Sequence, residues 1–248
     1  YQLAREVQQA GARLYLGTAV ETLVPEATGY RLKTSKGAIE ADFLVNAAGL
    51  YADTLARQVG VGEEYQIVPF RGEYYEVTIG RRHLVNSMIY PTPDPELPFL
   101  GVHFTRRTDD AVIIGPNAVL AFGREAYRNT EVDLRDLAET LGYEGFWRLL
   151  ASPKMLSVAA EELGKSYRKS RFAEAARQLV PDIRETDLVR SFAGIRAQVV
   201  SREGDLVKEP IVFEESDAIH VLNAISPGLT ASLPFGDHLA GKVEAALE

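Results

Sequence analysis

The stretch AIEADFLVNAAG, residues 38–49, decides how the rest of the chain is read. It starts in alternation, turns continuously apolar at Phe43, Leu44 and Val45, and then becomes small at Asn46, Ala47, Ala48 and Gly49. An unbroken apolar run ending in small residues marks a strand buried on both faces as it leaves a parallel sheet. Before it lie three short alternating runs, ARLYL, TAVETLV and GYRLKTS. Pro25, Glu26, Gly29, Ser35, Lys36 and Gly37 punctuate them and the start of the deciding stretch, as turns do between hairpin strands. A helix opens the chain with Leu3, Val7 and Ala10 on one stripe, and Gly11 ends it. After the deciding stretch, a helix is expected over residues 51–60, with Leu55 and Val59 inward.

The middle of the chain changes character. Residues 66–116 are strand-rich (QIVPFRGEYYEVTI, HLVNSMIYP, FLGVHFT, AVIIGP) and hold one proline-heavy turn, PTPDPELP. Strands in succession without helices between them predict an antiparallel sheet. Residues 133–180 follow a helical period, strands return in SFAGIRAQVVS, PIVFEE and AIHVLNAIS, and a last helix follows Pro234. The expected class is therefore α+β and α/β combined. A discontinuous first domain, 1–66 with 197–248, encloses an antiparallel-sheet domain, 67–196.

Composition narrows the chemistry. The 248 residues carry 27 basic and 35 acidic side chains, a formal charge of −8, which disfavours nucleic acid as a partner. There is no cysteine, so disulfides, thiolate metal sites and a cysteine nucleophile are excluded. No apolar run reaches the roughly 18 residues of a transmembrane helix. The sequence has no GxGxxG, Walker A, HExxH, GxSxG or EF-hand pattern, so no metal site is expected.

Four histidines are present. His83 reads as solvated, and His220 and His238 lie in a strand and a helix without company. His103 sits in the apolar strand FLGVHFT, and imidazole is the natural proton acceptor near neutral pH. The alternative is a core histidine satisfied by a backbone carbonyl. Arg196 stands among small and apolar neighbours in SFAGIRAQVV. A guanidinium there serves a planar carboxylate or an internal ion pair. Arg71 and Gly72 interrupt a strand, as at a bulge or a close ligand approach. The segment NAISPGLTASLPFG, residues 223–236, joins a strand to a helix N-terminus, which favours negative charge.

Taken together, VNAAGLYAD, IVPFRGEYYEV, IYPTPDPELPFLGVHFT, IGPNAVLAFGREAY, FAGIRAQVVSREGDLV and IHVLNAISPGLTAS resemble the FAD-dependent oxidoreductases of the D-amino-acid oxidase type. Within them the likeness is to the L-2-hydroxyglutarate oxidase/dehydrogenase branch. The resemblance implies the C-terminal part of a discontinuous FAD-binding domain plus a substrate domain, without the GxGxxG unit that holds the pyrophosphate. It implies FAD contacts at Val20, Ala47, Ala48, Gly49, Arg71, Gly72, Gly228, Leu229, Thr230, Ala231 and Ser232. It implies substrate contacts at Arg196, Tyr90 and Arg71, with His103 as the base. The loop departs from the branch at Ile225 and Leu229. The implied partners are a small hydroxy acid and either a second copy of the chain or a complementary N-terminal flavin-binding chain. The implied location is cytoplasmic, with peripheral membrane contact at most. A truncated module without catalysis is the alternative.

Overall fold

The structure is a computed structural model, and it describes residues 1–92, 101–224 and 228–247. The expectations placed on PDPELPFL (93–100) and on Ile225 lie outside the described residues. In chain order the first elements are α1 (Gln2–Gln9), β1 (Val20–Pro25), β2 (Tyr30–Thr34), β3 (Gly37–Ala41), β4 (Leu44–Asn46) and α2 (Ala52–Arg57). Then come β5 (Tyr65–Val77), β6 (His103–Arg106), β7 (Val112–Gly115) and β8 (Val119–Leu120). Four helices follow, α3 (Leu134–Gly142), α4 (Glu144–Ala151), α5 (Pro153–Tyr167) and α6 (Lys169–Arg177). The chain closes with β9 (Leu188–Ser201), β10 (Ile211–Glu214), β11 (Ala218–Asn223) and α7 (Ser232–Leu247). Pro234 falls in the first turn of α7, where a missing N–H costs no helical hydrogen bond.

The chain divides into two compact units, residues 1–48, 52–63 and 210–248 in one, and 49–51 with 64–209 in the other. The expected cut between residues 196 and 197 falls inside β9, which pairs with β5 from Ser201 to Leu188. Such a pairing joins residues far apart in sequence, so a single sequence does not reveal it.

In the first unit, β1, β2 and β3 form an antiparallel sheet, and a second sheet runs β10-β11-β4. β11 and β4 are parallel, with Ile219 opposite Val45 and His220 opposite Asn46. All six residues of β11 are buried, as a strand covered on both faces must be. Ile219 and Val221 pack with Leu239, Phe235 and Val243 of α7. On the other face Leu44 and Ala218 meet Leu55, Val59, Leu23 and Tyr30. The run ARLYL forms no strand; Tyr15 and Leu16 stay 55% and 82% exposed, so no sheet buries them.

In the second unit β5 is the central strand, flanked by β9 on one side and by β7 and β8 on the other, with β6 beyond β7. Tyr75, Val77, Phe104, Ile114 and Leu188 bury one face against Phe172, Ala173 and Ala176 of α6. Val68, Phe70 and Val200 bury the first half of the opposite face against Phe146 and Leu149 of α4 and Met155 of α5. The second half of that face keeps Phe192 and Arg196 exposed. The segment HLVNSMIYP starts at the end of a 3-10 turn (Ile79–Leu84) and carries an isolated bridge, Ile89 with Phe104, in place of the expected strand. Val85 is fully buried there, so the apolar signal was real while the ladder was not.

Candidate functional site

Strand register decides which side chains share the open face of the second unit. Phe70 lies opposite Arg196 and Gly72 opposite Gly194, so Arg196 leaves β9 on the Phe70–Gly72–Tyr74 side. His103 lies opposite Gly115, and the next residue of β7, Ile114, lies opposite Tyr75. That places His103, Gly115 and Tyr74 in one row on the same face. Gly115 leaves room for the Tyr74 ring, since a Cβ there would sit 2.9 Å from Tyr74 Cδ1. Phe192 stacks on the other side of Tyr74 at 4.7 Å. Gly194 has open space where its side chain would be. Gly194 is thus left bare while Pro116 covers Gly72, and Arg196, Tyr74 and His103 stand on the same face of this floor.

A cavity of about 170 Å³ opens on this floor, with Gly72, Tyr74, Pro116, Asn117, Gly194 and Arg196 among its walls. A wider cleft of about 570 Å³ shares Tyr74 and takes in Phe192, Tyr127 and Arg190. It is the larger space, yet Arg196 lines only the smaller of the two, and His103 stands on the same sheet face outside the walls of both.

His103 is half-buried, and its Nδ1 lies 3.1 Å from the carbonyl oxygen of Gly101. A carbonyl only accepts, so Nδ1 carries the proton and Nε2 is left as the acceptor. Burial holds the imidazole below its usual pKa, and the positive charge of Arg196 lowers it further against the Gly101 hydrogen bond. The ring is therefore neutral at physiological pH. Tyr90 stacks on it at 4.5 Å, and the bridge from Ile89 to Phe104 brings the two side chains together. Burial raises the Tyr74 phenol above its usual value, with Arg196 opposing and Tyr90 adding to the shift. Tyr74 therefore stays protonated. It was missed in the sequence, although alternation through RGEYYEV sets it on the face of Gly72.

Arg71 also lines the smaller cavity. It faces Ile195 across the ladder and leaves the opposite side of the sheet from Arg196. It is buried, pairs with Glu73 at 3.3 Å, and donates to the carbonyls of Ala126 and Arg128 and to the side chain of Asn129. Asn117 completes the cluster, donating to Glu73 at 2.9 Å and accepting from its backbone N–H at 2.7 Å. This guanidinium is held by protein groups on the side of the sheet opposite Arg196. Asn117→Ala leaves the buried Glu73 short of partners and is expected to cost about 1–3 kcal/mol in chemical denaturation.

In the first unit, Ala47, Ala48 and residues 228–232 follow the carboxyl ends of a parallel strand pair, and Gly49, the next residue of the chain, is counted with the second unit. Ala47 and Ala48 follow β4, and Gly49 has φ +57° with open space at its Cβ position. Gly228, Leu229, Thr230 and Ala231 precede α7, and the Ser232 hydroxyl donates to the Leu229 carbonyl at 2.7 Å. Carboxyl ends of parallel strands and the N–H groups of a first helical turn are where open α/β sheets take anionic ligands. Val20 starts β1 and packs at the edge of the Leu23–Tyr30 cluster. These residues fit part of a flavin site. The glycine-rich pyrophosphate loop is not among them.

The family model for FAD dependent oxidoreductases (DAO) matches residues 1–242. The chain belongs to this family. As a member of it, the chain is 44% identical over 235 residues to the L-2-hydroxyglutarate dehydrogenase of Indibacter alkaliphilus, covering 94% of this chain and 58% of the relative. It is 37% identical over 246 residues to the Escherichia coli K12 protein of the same name, covering 99% and 58%. The chain thus spans less than two thirds of these curated relatives. Among solved structures, FAD-bound L-alpha-glycerophosphate oxidase from Mycoplasma pneumoniae superposes with a TM-score of 0.65 at 21% identity, over 98% of this chain and 54% of that one. Glycine oxidase from Bacillus cereus gives 0.56 at 17%, over 96% and 54%. Both likenesses are of fold. FAD is the family's cofactor. Among the described residues no helix is long and apolar enough to cross a membrane.

Proposed function

We propose that this chain is the C-terminal, substrate-binding part of an FAD-dependent enzyme that oxidises L-2-hydroxyglutarate to 2-oxoglutarate. The observation that carries the reading is the joint placement of His103 and Arg196 on one open face, in a chain 37–44% identical to L-2-hydroxyglutarate dehydrogenases. Arg196 grips the 1-carboxylate in two-pronged fashion and so orients the substrate α-carbon. His103 Nε2 accepts the hydroxyl proton, and the C2–O bond becomes a carbonyl as hydride leaves C2. Bound FAD supplies the hydride acceptor. Tyr74 and Tyr90 flank the substrate, and the Arg71–Glu73–Asn117 cluster keeps the floor rigid. Ala47, Ala48, Gly49 and residues 228–232 hold the flavin, with Val20 and Gly72 as further contacts. The same reading puts the enzyme in the cytoplasm, with peripheral membrane contact at most.

A second reading, one half of a flavoenzyme completed by another chain, is favoured by β4. Among the described residues it is the last strand of its sheet, and its Val45 is 44% exposed. An open strand edge is a pairing surface, for a flavin-binding segment or for a second copy of the chain.

Without a pyrophosphate loop the chain by itself is expected to hold FAD weakly or not at all. Gel filtration after incubation with FAD checks this. Yellow protein at a flavin-to-protein ratio of about one would contradict it.

A further inference from the structure

His220 is a buried ionisable group that the proposed reaction leaves unused. It has no exposed surface, lies opposite Asn46 in the parallel pair, and its Nδ1 sits 3.1 Å from Asn46 Nδ2. Two backbone groups fix the Asn46 amide. Nδ2 donates to the Ala52 carbonyl at 2.8 Å, and Oδ1 accepts from the Ala48 N–H at 3.2 Å. A nitrogen bearing hydrogens therefore faces His220 Nδ1, which must accept, and the ring proton resides on Nε2. That nitrogen is buried with no hydrogen-bond partner among the described residues. A buried donor without an acceptor is a cost, so Nε2 does not explain why an imidazole stands here. Nδ1 does. It receives the second hydrogen of an amide that staples residues 46–52 together. Burial lowers the pKa of the ring, which keeps Nδ1 unprotonated.

We propose that His220 is a positioning residue for the cofactor. Through Asn46 it holds the loop of Ala47, Ala48 and Gly49 in the shape that receives the flavin. The inference rests on the functional reading above.

The test joins this chain to the part of the Indibacter alkaliphilus relative that it does not match. Flavin affinity is read by fluorescence quenching, and exchange of the Ala48 amide is read in the chain alone. His220→Phe keeps a ring but removes the acceptor, and His220→Gln restores an acceptor oxygen. By analogy with the loss of partners that orient metal ligands, His220→Phe is expected to weaken FAD binding about 10–100-fold. The Ala48 amide is expected to exchange roughly tenfold faster as its bond to Asn46 loosens. His220→Gln is expected to recover most of both losses. A merely structural histidine lowers the melting temperature and leaves FAD affinity and Ala48 exchange at the parent's values, which overturns the proposal. Faster exchange with unchanged affinity overturns the cofactor role. A parent fusion that takes up no flavin sinks the functional reading instead, and Ala48 exchange then decides by itself whether the brace exists.

Discussion

Replacing Arg196 by alanine in a flavin-loaded protein carrying this chain is expected to lower kcat/KM by roughly 30- to 5000-fold, about 2–5 kcal/mol of transition-state stabilisation. The range follows from the loss of a charged partner by a carboxylate that has given up its water. Arg196 stands on the face of Gly194 and Tyr74, while Arg71 leaves the sheet on the other side and is held by Glu73 and Asn129. Arg196→Lys keeps the charge but not the fork, so it is expected to recover only part of the loss. Steady-state kinetics with the hydroxy acid check both variants. A change below about threefold for Arg196→Ala would place the carboxylate elsewhere.

The second large effect concerns His103. His103→Ala is expected to lower kcat by roughly 10²–10⁴-fold, the usual range for a lost general base. The pH profile carries a sharper signature. Burial and the charge of Arg196 both hold the imidazole below its ordinary value. The neutral ring is the working form, so activity rises with pH with a midpoint below the ordinary histidine pKa of about 6.5. Activity falls only as pH drops through the lowered value and the ring takes a proton. His103→Ala removes that acid limb. An unchanged limb in the variant assigns the titration to another group.

Much of this site is legible in the sequence because alternation is a local property. Period two places Arg196 and Gly194 on one side of β9, and Gly72 and Tyr74 on one side of β5, before any partner strand is known. The same rule held the warning about Arg71. Arg71, Glu73, Tyr75 and Val77 share a parity in β5, and the last two belong to the buried core. An arginine two residues from a glutamate on a core-facing row marks an internal ion pair.

What the sequence withheld is register and partnership. The row of His103, Gly115 and Tyr74 exists because β6 pairs with β7 and β7 with β5, and each pairing is a choice among many offsets. The domain limit was misplaced for the same reason, since β9 belongs wholly to the sheet of β5. His220 was set aside as a strand histidine without company. Its company is Asn46, 174 residues earlier, and only the parallel pairing of β11 with β4 brings them together.

The most direct measurement is the anaerobic visible spectrum of the fusion described above, loaded with FAD and mixed in turn with the two enantiomers of 2-hydroxyglutarate. The account predicts that the L enantiomer bleaches the oxidised flavin band and yields 2-oxoglutarate in equal amount, while the D enantiomer leaves the band unchanged. A stoichiometrically loaded protein whose flavin stays oxidised with L-2-hydroxyglutarate would contradict it.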